Sequence, residues 1–371
     1  MRPRLALLCA GTLAAGAAAA FSPGGLGDAA AQTWPPFVLV TGLLLIGVVA
    51  AHDGVFEVAA AGLDRLPGGD GVLYVAAMAL VALVTAVLNL DTSVAFLTPV
   101  LVHAARRRGR GEARLLYGCV FMSNAASLLL PGSNLTNLLV LSGEHVSGSV
   151  FLARMAFPWL AAVAVTAVVV ALAVREGTAQ PVRDASGPAG VRGRLGWLGI
   201  ASAVALTLAL ADPALPVLGA GLLLAGVRIL QRRLRPAEVA RSVDVAVLAG
   251  VFLVAVALGT VARGWSLPGR VMRDAGALAS AGLGAVAAVL VNNLPAAVLL
   301  GSRAPAHPRA LLIGLDAGPN LAVSGSLSAL IWWQAARSVG ARPSALRYSA
   351  VGLVLVPLTM AAALAAGRAV T

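Results

Sequence analysis

Lysine is absent from the 371 residues, so all 27 basic side chains are arginine. Charge of either sign is scarce: charged residues make up 11% of the chain, against 59% hydrophobic. A soluble domain carries about 25% charged and about 45–50% apolar residues. That contrast excludes a soluble fold and points to an integral membrane protein. The arginines gather in loops between apolar runs, which fits the excess of basic residues on the cytoplasmic side of membrane proteins rather than a nucleic-acid surface. The two cysteines, Cys9 and Cys119, lie far apart within apolar runs and can build neither a disulfide framework nor a thiolate metal site in one chain. No catalytic metal motif, nucleophile elbow or phosphate loop stands out, so no enzyme activity, metal or cofactor is expected.

What is present is organised around Leu311–Trp333, LLIGLDAGPNLAVSGSLSALIWW. Its flanks are apolar enough for lipid, yet its middle holds an aspartate, an asparagine, a proline, glycines and serines. Such a break is tolerated in a bilayer only where it lines a cavity or water. A carboxylate there, as at Asp316, costs about 2.5–3.5 kcal/mol on insertion scales and marks function. Asn124–Leu139, NAASLLLPGSNLTNLL, aligns without a gap on Asp316–Ile331, with Asn124 opposite Asp316. Broken, polar-centred segments in corresponding halves point to a secondary transporter's binding site.

Taken in order, Met1–Phe21 reads as a first helix or as a cleaved signal peptide. Ser22–Trp34 follows as an external loop and Phe37–Ala51 as an inward span, and a polar loop runs to Gly71 with Asp53 and Glu57 at the interface. Val72–Ala105 contains NLDTS, and the basic run Arg106–Arg114 follows it; both ends on one side make this a re-entrant hairpin with its tip at Asn89–Ser93. Leu115–Leu141 is the first broken helix and Phe151–Val174 returns. Arg175–Arg194 is a linker, and two helices precede the basic Gln231–Arg241. From Val243 the same order recurs in opposite orientation, with VLVNNLP at a second hairpin tip. The expected fold is therefore all-α and polytopic, with two inverted-topology repeats, each with a re-entrant hairpin and an interrupted transmembrane helix. Its parts are residues 1–35 (first helix and loop), 36–174 (first repeat), 175–241 (linker and helical pair) and 242–371 (second repeat). The basic residues of 263–273 and 303–309 fall outside and run against this topology.

Helix starts expected after Asn89, Ser133, Asn293 and Ser324 would aim free N–H groups and positive dipole ends at one cavity, suiting an oxyanion or a hydroxylated neutral solute. Asp91 and Asp316 are the candidate carriers of a coupling proton, with sodium the other candidate ion. Thr92, Ser133, Asn134, Asn137, Asn292, Asn293, Asn320, Ser324, Gly325 and Ser326 complete the candidate substrate- and ion-binding set. Trp332 and Trp333 read as an interfacial belt or as packing.

VNNLPAAVLL followed by GLDAGPNLAVSGSLSALIWW resembles the second half of the arsenite permeases of the ion transporter superfamily. That group also holds citrate and dicarboxylate transporters and NhaD-type sodium/proton antiporters. LDTSVAFLTP resembles their first hairpin and SNLTNLL their first broken helix. The resemblance implies two inverted repeats in a homodimer of the bacterial plasma membrane, exporting arsenite or antimonite against protons, with an ATPase subunit as a further partner. Leu90, where the pattern has asparagine, and Asn320, where a basic residue often follows Gly-Pro, depart from it. The substrate readings are thus a neutral oxyacid such as arsenous acid, a citrate-like, dicarboxylate or other small anion, or sodium itself in an antiporter.

Overall fold

The computed structural model describes residues 2–142, 144, 146–175 and 193–368; nearly all of the linker expected over 175–194 lies outside the described residues. Among these residues every regular element is a helix. α1 (Arg2–Phe21) and α2 (Pro23–His52) lead to a short α3 (Val55–Arg65), then to α4 (Asp70–Val87) and α5 (Leu90–Arg107), α6 (Ala113–Ala126) and α7 (Leu135–Leu141), and α8 (Gly148–Ala173). α9 (Leu195–Ala209), α10 (Ala214–Leu230) and α11 (Pro236–Val243) bridge to a second set. This comprises α12 (Val245–Gly264), a short α13 (Ser266–Asp274), α14 (Ala277–Val291) and α15 (Asn293–Gly301), α16 (Pro308–Ala317) and α17 (Leu327–Ser338), and α18 (Ala345–Arg368). Among the described residues, five stretches are long and apolar enough to cross a membrane: α2, α4, α8, α18 and the run Pro236–Gly264.

The packing pairs come in matched sets. α4 lies on α6 as α14 lies on α16, α5 meets α17 as α7 meets α15, α10 flanks α2 as α1 flanks α12, and α8 packs on α18. The α2–α10 contact is close because both helices present glycine. A Cβ on Gly42 would lie 2.7 Å from the Leu218 backbone nitrogen, and one on Gly221 2.7 Å from the Gly42 carbonyl oxygen. Trp332 is fully buried, donates from Nε1 to the Leu116 carbonyl at 2.8 Å, and packs between Tyr117 and Tyr348. Of the two tryptophans, this one is core packing and not an interfacial belt.

Three expectations are corrected. Ser22–Trp34 is not a loop: Ser22 caps α2 by accepting from Gly25 N, Pro23 occupies the first turn, and the helix continues through Pro35 and Pro36. Thirty residues span about 45 Å, well beyond the about 30 Å hydrocarbon core, so Phe37–Ala51 is only the inner part of this helix. The stretch after Asp53 is likewise not a simple polar loop. Gly54 turns the chain at φ 80°, and α3 then buries Val55, Phe56 and Leu63 while exposing Glu57 and Arg65. Asp53 itself is not interfacial. It is 1% exposed, accepts from Gly196 N at 2.8 Å and from Arg228 Nη2 at 2.5 Å, and so ties the end of α2 to α9 and α10.

Candidate functional site

Four helix starts define the site, each displaced from or confirmed at its expected residue by capping chemistry. A cap needs an extended backbone and a side-chain oxygen that reaches an N–H one turn on. Asn89 has both, and its Oδ1 accepts from Thr92 N at 2.7 Å. The chain therefore turns at Leu88–Asn89, and Asp91, Thr92 and Ser93 sit in the first turn of α5 rather than at a tip. Asn134, not Ser133, caps α7, accepting from Thr136 N at 3.1 Å. Ser133 lies in the preceding 3-10 turn and gives its hydroxyl to the Ala86 carbonyl at 2.9 Å. Asn292, at φ 77°, caps α15 through Leu294 N, so Asn293 is already helical. Ser326, not Ser324, caps α17 through Ala329 N.

The first turns of all four helices line one cavity of about 700 Å³, which Leu90, Asp91 and Thr92, Leu135 and Thr136, Asn293 and Leu294, and Leu327 and Ser328 enclose together with Asn134. Ser328 donates to Asp91 across it. The cavity extends to the junction of α11 and α12, where Arg241, Ser242 and Asp244 line it. Each helix start carries about half a positive charge and several N–H groups without intrahelical partners. Arg241 shares this lining with the carboxyl groups of Asp91 and Asp244, so the helix starts rather than the side chains supply the cavity's positive potential. Arg241 is a residue that reading the sequence missed, because it stands in the connecting segment rather than in either broken helix.

The other expected residues lie elsewhere. Asp316 is fully buried and outside the cavity lining; Asn134 connects the two, donating from Nδ2 to Asp316 Oδ1 at 2.8 Å. Asn320 accepts from Asn124 Nδ2 at 2.7 Å, and Asn137 donates to the Ser127 carbonyl at 2.7 Å, both in the same buried layer. Ser324 is exposed away from the cavity, with its carbonyl accepting from Asn292 Nδ2 at 3.0 Å, and Gly325 packs against Pro319. The expected convergence of every polar centre on one cavity is thus corrected to a cavity and a sealed network behind it. The physical reason is that half the polar groups are consumed in closing the chain's own breaks.

Ser127, also missed, completes that network. Its Oγ lies 3.0 Å from Asp316 Oδ2 and 2.8 Å from the Asn124 carbonyl. A serine has one hydrogen to give. An ionised Asp316 and a carbonyl are both pure acceptors, which leaves one of these contacts without a proton of its own. A carboxylic acid protonated on Oδ2 would donate to Ser127 Oγ, which donates onward to Asn124, while Oδ1 accepts from Asn134. The contacts accommodate the neutral acid as well as the carboxylate.

The family model described as Citrate transporter matches residues 2–367. The chain belongs to the citrate transporter family. The transporter's fold is also that of a solved structure, the YdaH transporter of Alcanivorax borkumensis, at a TM-score of 0.56 and 15% identity, covering 94% of this chain and 88% of that one. That transporter is reported to have an unusual topology. A search of curated protein sequences gave no match. Membership makes this chain a membrane-embedded secondary transporter rather than an enzyme. Among the described residues no cluster of histidine, cysteine and carboxylate side chains could hold a metal ion.

Proposed function

We propose that the transporter is a proton-coupled carrier of small organic anions of the citrate or dicarboxylate class. The observation that carries this reading is the cavity on which four helix N-termini and Arg241 converge. The four helix starts can receive the oxygens of a charged solute, and the family description favours the anion over the arsenite reading. The coupling site is Asp316, supported by a hydrogen-bond pattern that suits the protonated acid. Asp91, facing the cavity, is the second proton candidate. The direct test is uptake into proteoliposomes under an imposed proton or sodium gradient, with citrate, succinate and arsenite as solutes. Proton-driven citrate or succinate uptake is expected; arsenite movement alone would overturn the anion assignment, and sodium dependence would overturn the proton.

Arg241→Gln separates the solutes further. Removing one cation from the wall should raise KM for the organic anion about tenfold, the order of one charge-assisted contact, with little change in maximal rate. An unchanged KM would remove Arg241 from the binding surface.

For the architecture we propose that residues 36–174 and 242–371 are the two inverted repeats, with α4–α5 and α14–α15 as re-entrant hairpins and α6–α7 and α16–α17 as interrupted transmembrane helices. The matched packing pairs support it. The hairpin reading puts the segment 106–114 in the cytoplasm. A cysteine introduced at Arg110 should therefore react with a membrane-impermeant maleimide only after the cells are opened. Labelling in intact cells would make α4 and α5 full spans.

A further inference from the structure

A second cavity, of about 480 Å³, lies where the early turns of α8, the start of α16 and the end of α18 meet. Its lining is divided by chemistry. Arg154, His307, Arg309 and Arg368 line it with Glu144 as the single acidic residue, whereas Met155, Pro158, Ile313 and Leu364 give it an apolar wall. Arg154 stands six residues past Gly148, the first residue of α8, about 9 Å along the axis, in an otherwise apolar helix. Neither Arg154 nor Arg309 has an ion pair or a side-chain hydrogen bond among the described residues. An arginine near a helix end extends to the headgroup level, and among the described residues no acidic group pairs with either side chain.

We propose that the cavity holds an anionic phospholipid. Its phosphodiester lies between the Arg154 and Arg309 guanidinium groups, whose planar donors match phosphate oxygens in pairs, and an acyl chain runs along Met155, Pro158 and Leu364. A small soluble anion would satisfy the arginines but would leave the apolar wall without a role. The lipid also accounts for Arg309, which falls on the wrong side for a purely cytoplasmic basic bias: here it is matched by a bound negative charge. This site is separate from the transport cavity, and no residue is shared between their linings.

The test is native mass spectrometry of the full-length protein, delipidated in detergent and titrated with phosphatidylglycerol or phosphatidylcholine of identical acyl chains. Inorganic phosphate and citrate serve as competitors. One phosphatidylglycerol per chain should be retained at least about tenfold more tightly than phosphatidylcholine, and the double variant Arg154→Gln/Arg309→Gln should lose that preference. Millimolar citrate or phosphate should not displace it. Equal retention of the two lipids by the wild type, or undiminished preference in a double variant that remains monodisperse, would overturn the proposal. Displacement by citrate or phosphate would do the same and mark a small-anion site instead. The wild-type lipid comparison decides the matter even if the variant fails to fold.

Discussion

Asp316→Asn should abolish proton-driven accumulation while leaving the protein folded and able to exchange solute for solute. Asparagine at 316 reproduces the neutral acid: its Nδ2 can donate to Ser127 Oγ and its Oδ1 can accept from Asn134, two of the partners that hold the side chain now. What it cannot do is lose a proton. One pH unit supplies about 1.4 kcal/mol per proton, so a carrier moving one net proton per solute would concentrate its solute about tenfold per unit. In the variant that ratio should fall to one, with counterflow retained. Asp316→Leu is the contrasting control, because it strands Asn134 and Ser127 in a sealed layer at about 1–3 kcal/mol for each lost partner. The reading would not survive wild-type accumulation by Asp316→Asn in the same vesicles.

Arg228→Met should be the most destabilising single change outside the candidate site. Arg228 Nη2 meets Asp53 Oδ2 at 2.5 Å with side-chain exposures of 4% and 1%, and Nη1 donates to Gln231 at 2.8 Å. Removing one member of such a buried pair leaves the other charge uncompensated, typically at about 3–5 kcal/mol, while replacing both with apolar groups is often neutral. The expected order in thermal inactivation is therefore wild type close to Arg228→Met/Asp53→Leu, both well above Arg228→Met. A pH dependence follows. Burial alone would push the Asp53 carboxyl up, but the Arg228 guanidinium, the Gly196 N–H and His52 outweigh it and hold the group below its ordinary value. A lowered carboxylate contributes stability that is complete above its unfolded value of about 3.9 and is lost as pH falls through the folded one. Inactivation temperature should thus drop below about pH 4 in the wild type, with a smaller drop in Asp53→Asn. Equal acid sensitivity of the two would remove the carboxylate from the account.

Much of this was legible in the residues themselves. The gapless match of Asn124–Leu139 on Asp316–Ile331 located both helix interruptions, and Asn89 and the Asn292–Asn293 pair located both turns between paired helices, because lipid tolerates polar breaks only where something internal uses them. The starts of α7 and α17 were misplaced by one and two residues because serine and asparagine can both cap, and only backbone geometry decides between neighbours. Ser127 was unreadable as a site residue because serines in membrane helices commonly bond their own backbone. Its second contact, to Asp316, joins residues 189 apart in sequence. Asp53 looked like an interfacial acid because its partner Arg228 sits 175 residues away, in a segment whose arginines read simply as an inside marker. Arg241 was hidden for the same reason.

Asn134 spends its two ends in opposite directions: Oδ1 on the start of α7, Nδ2 on Asp316. An amide cannot be reversed in that position without setting its donors against the Thr136 N–H, so the side chain acts as a keyed connector. On the proposed function, a solute that claimed the Thr136 N–H would displace the oxygen end, free the amide to swing and withdraw the nitrogen from Asp316. Solute in the cavity and a proton on the buried carboxyl would then constrain each other through one torsion, by an equal factor in both directions.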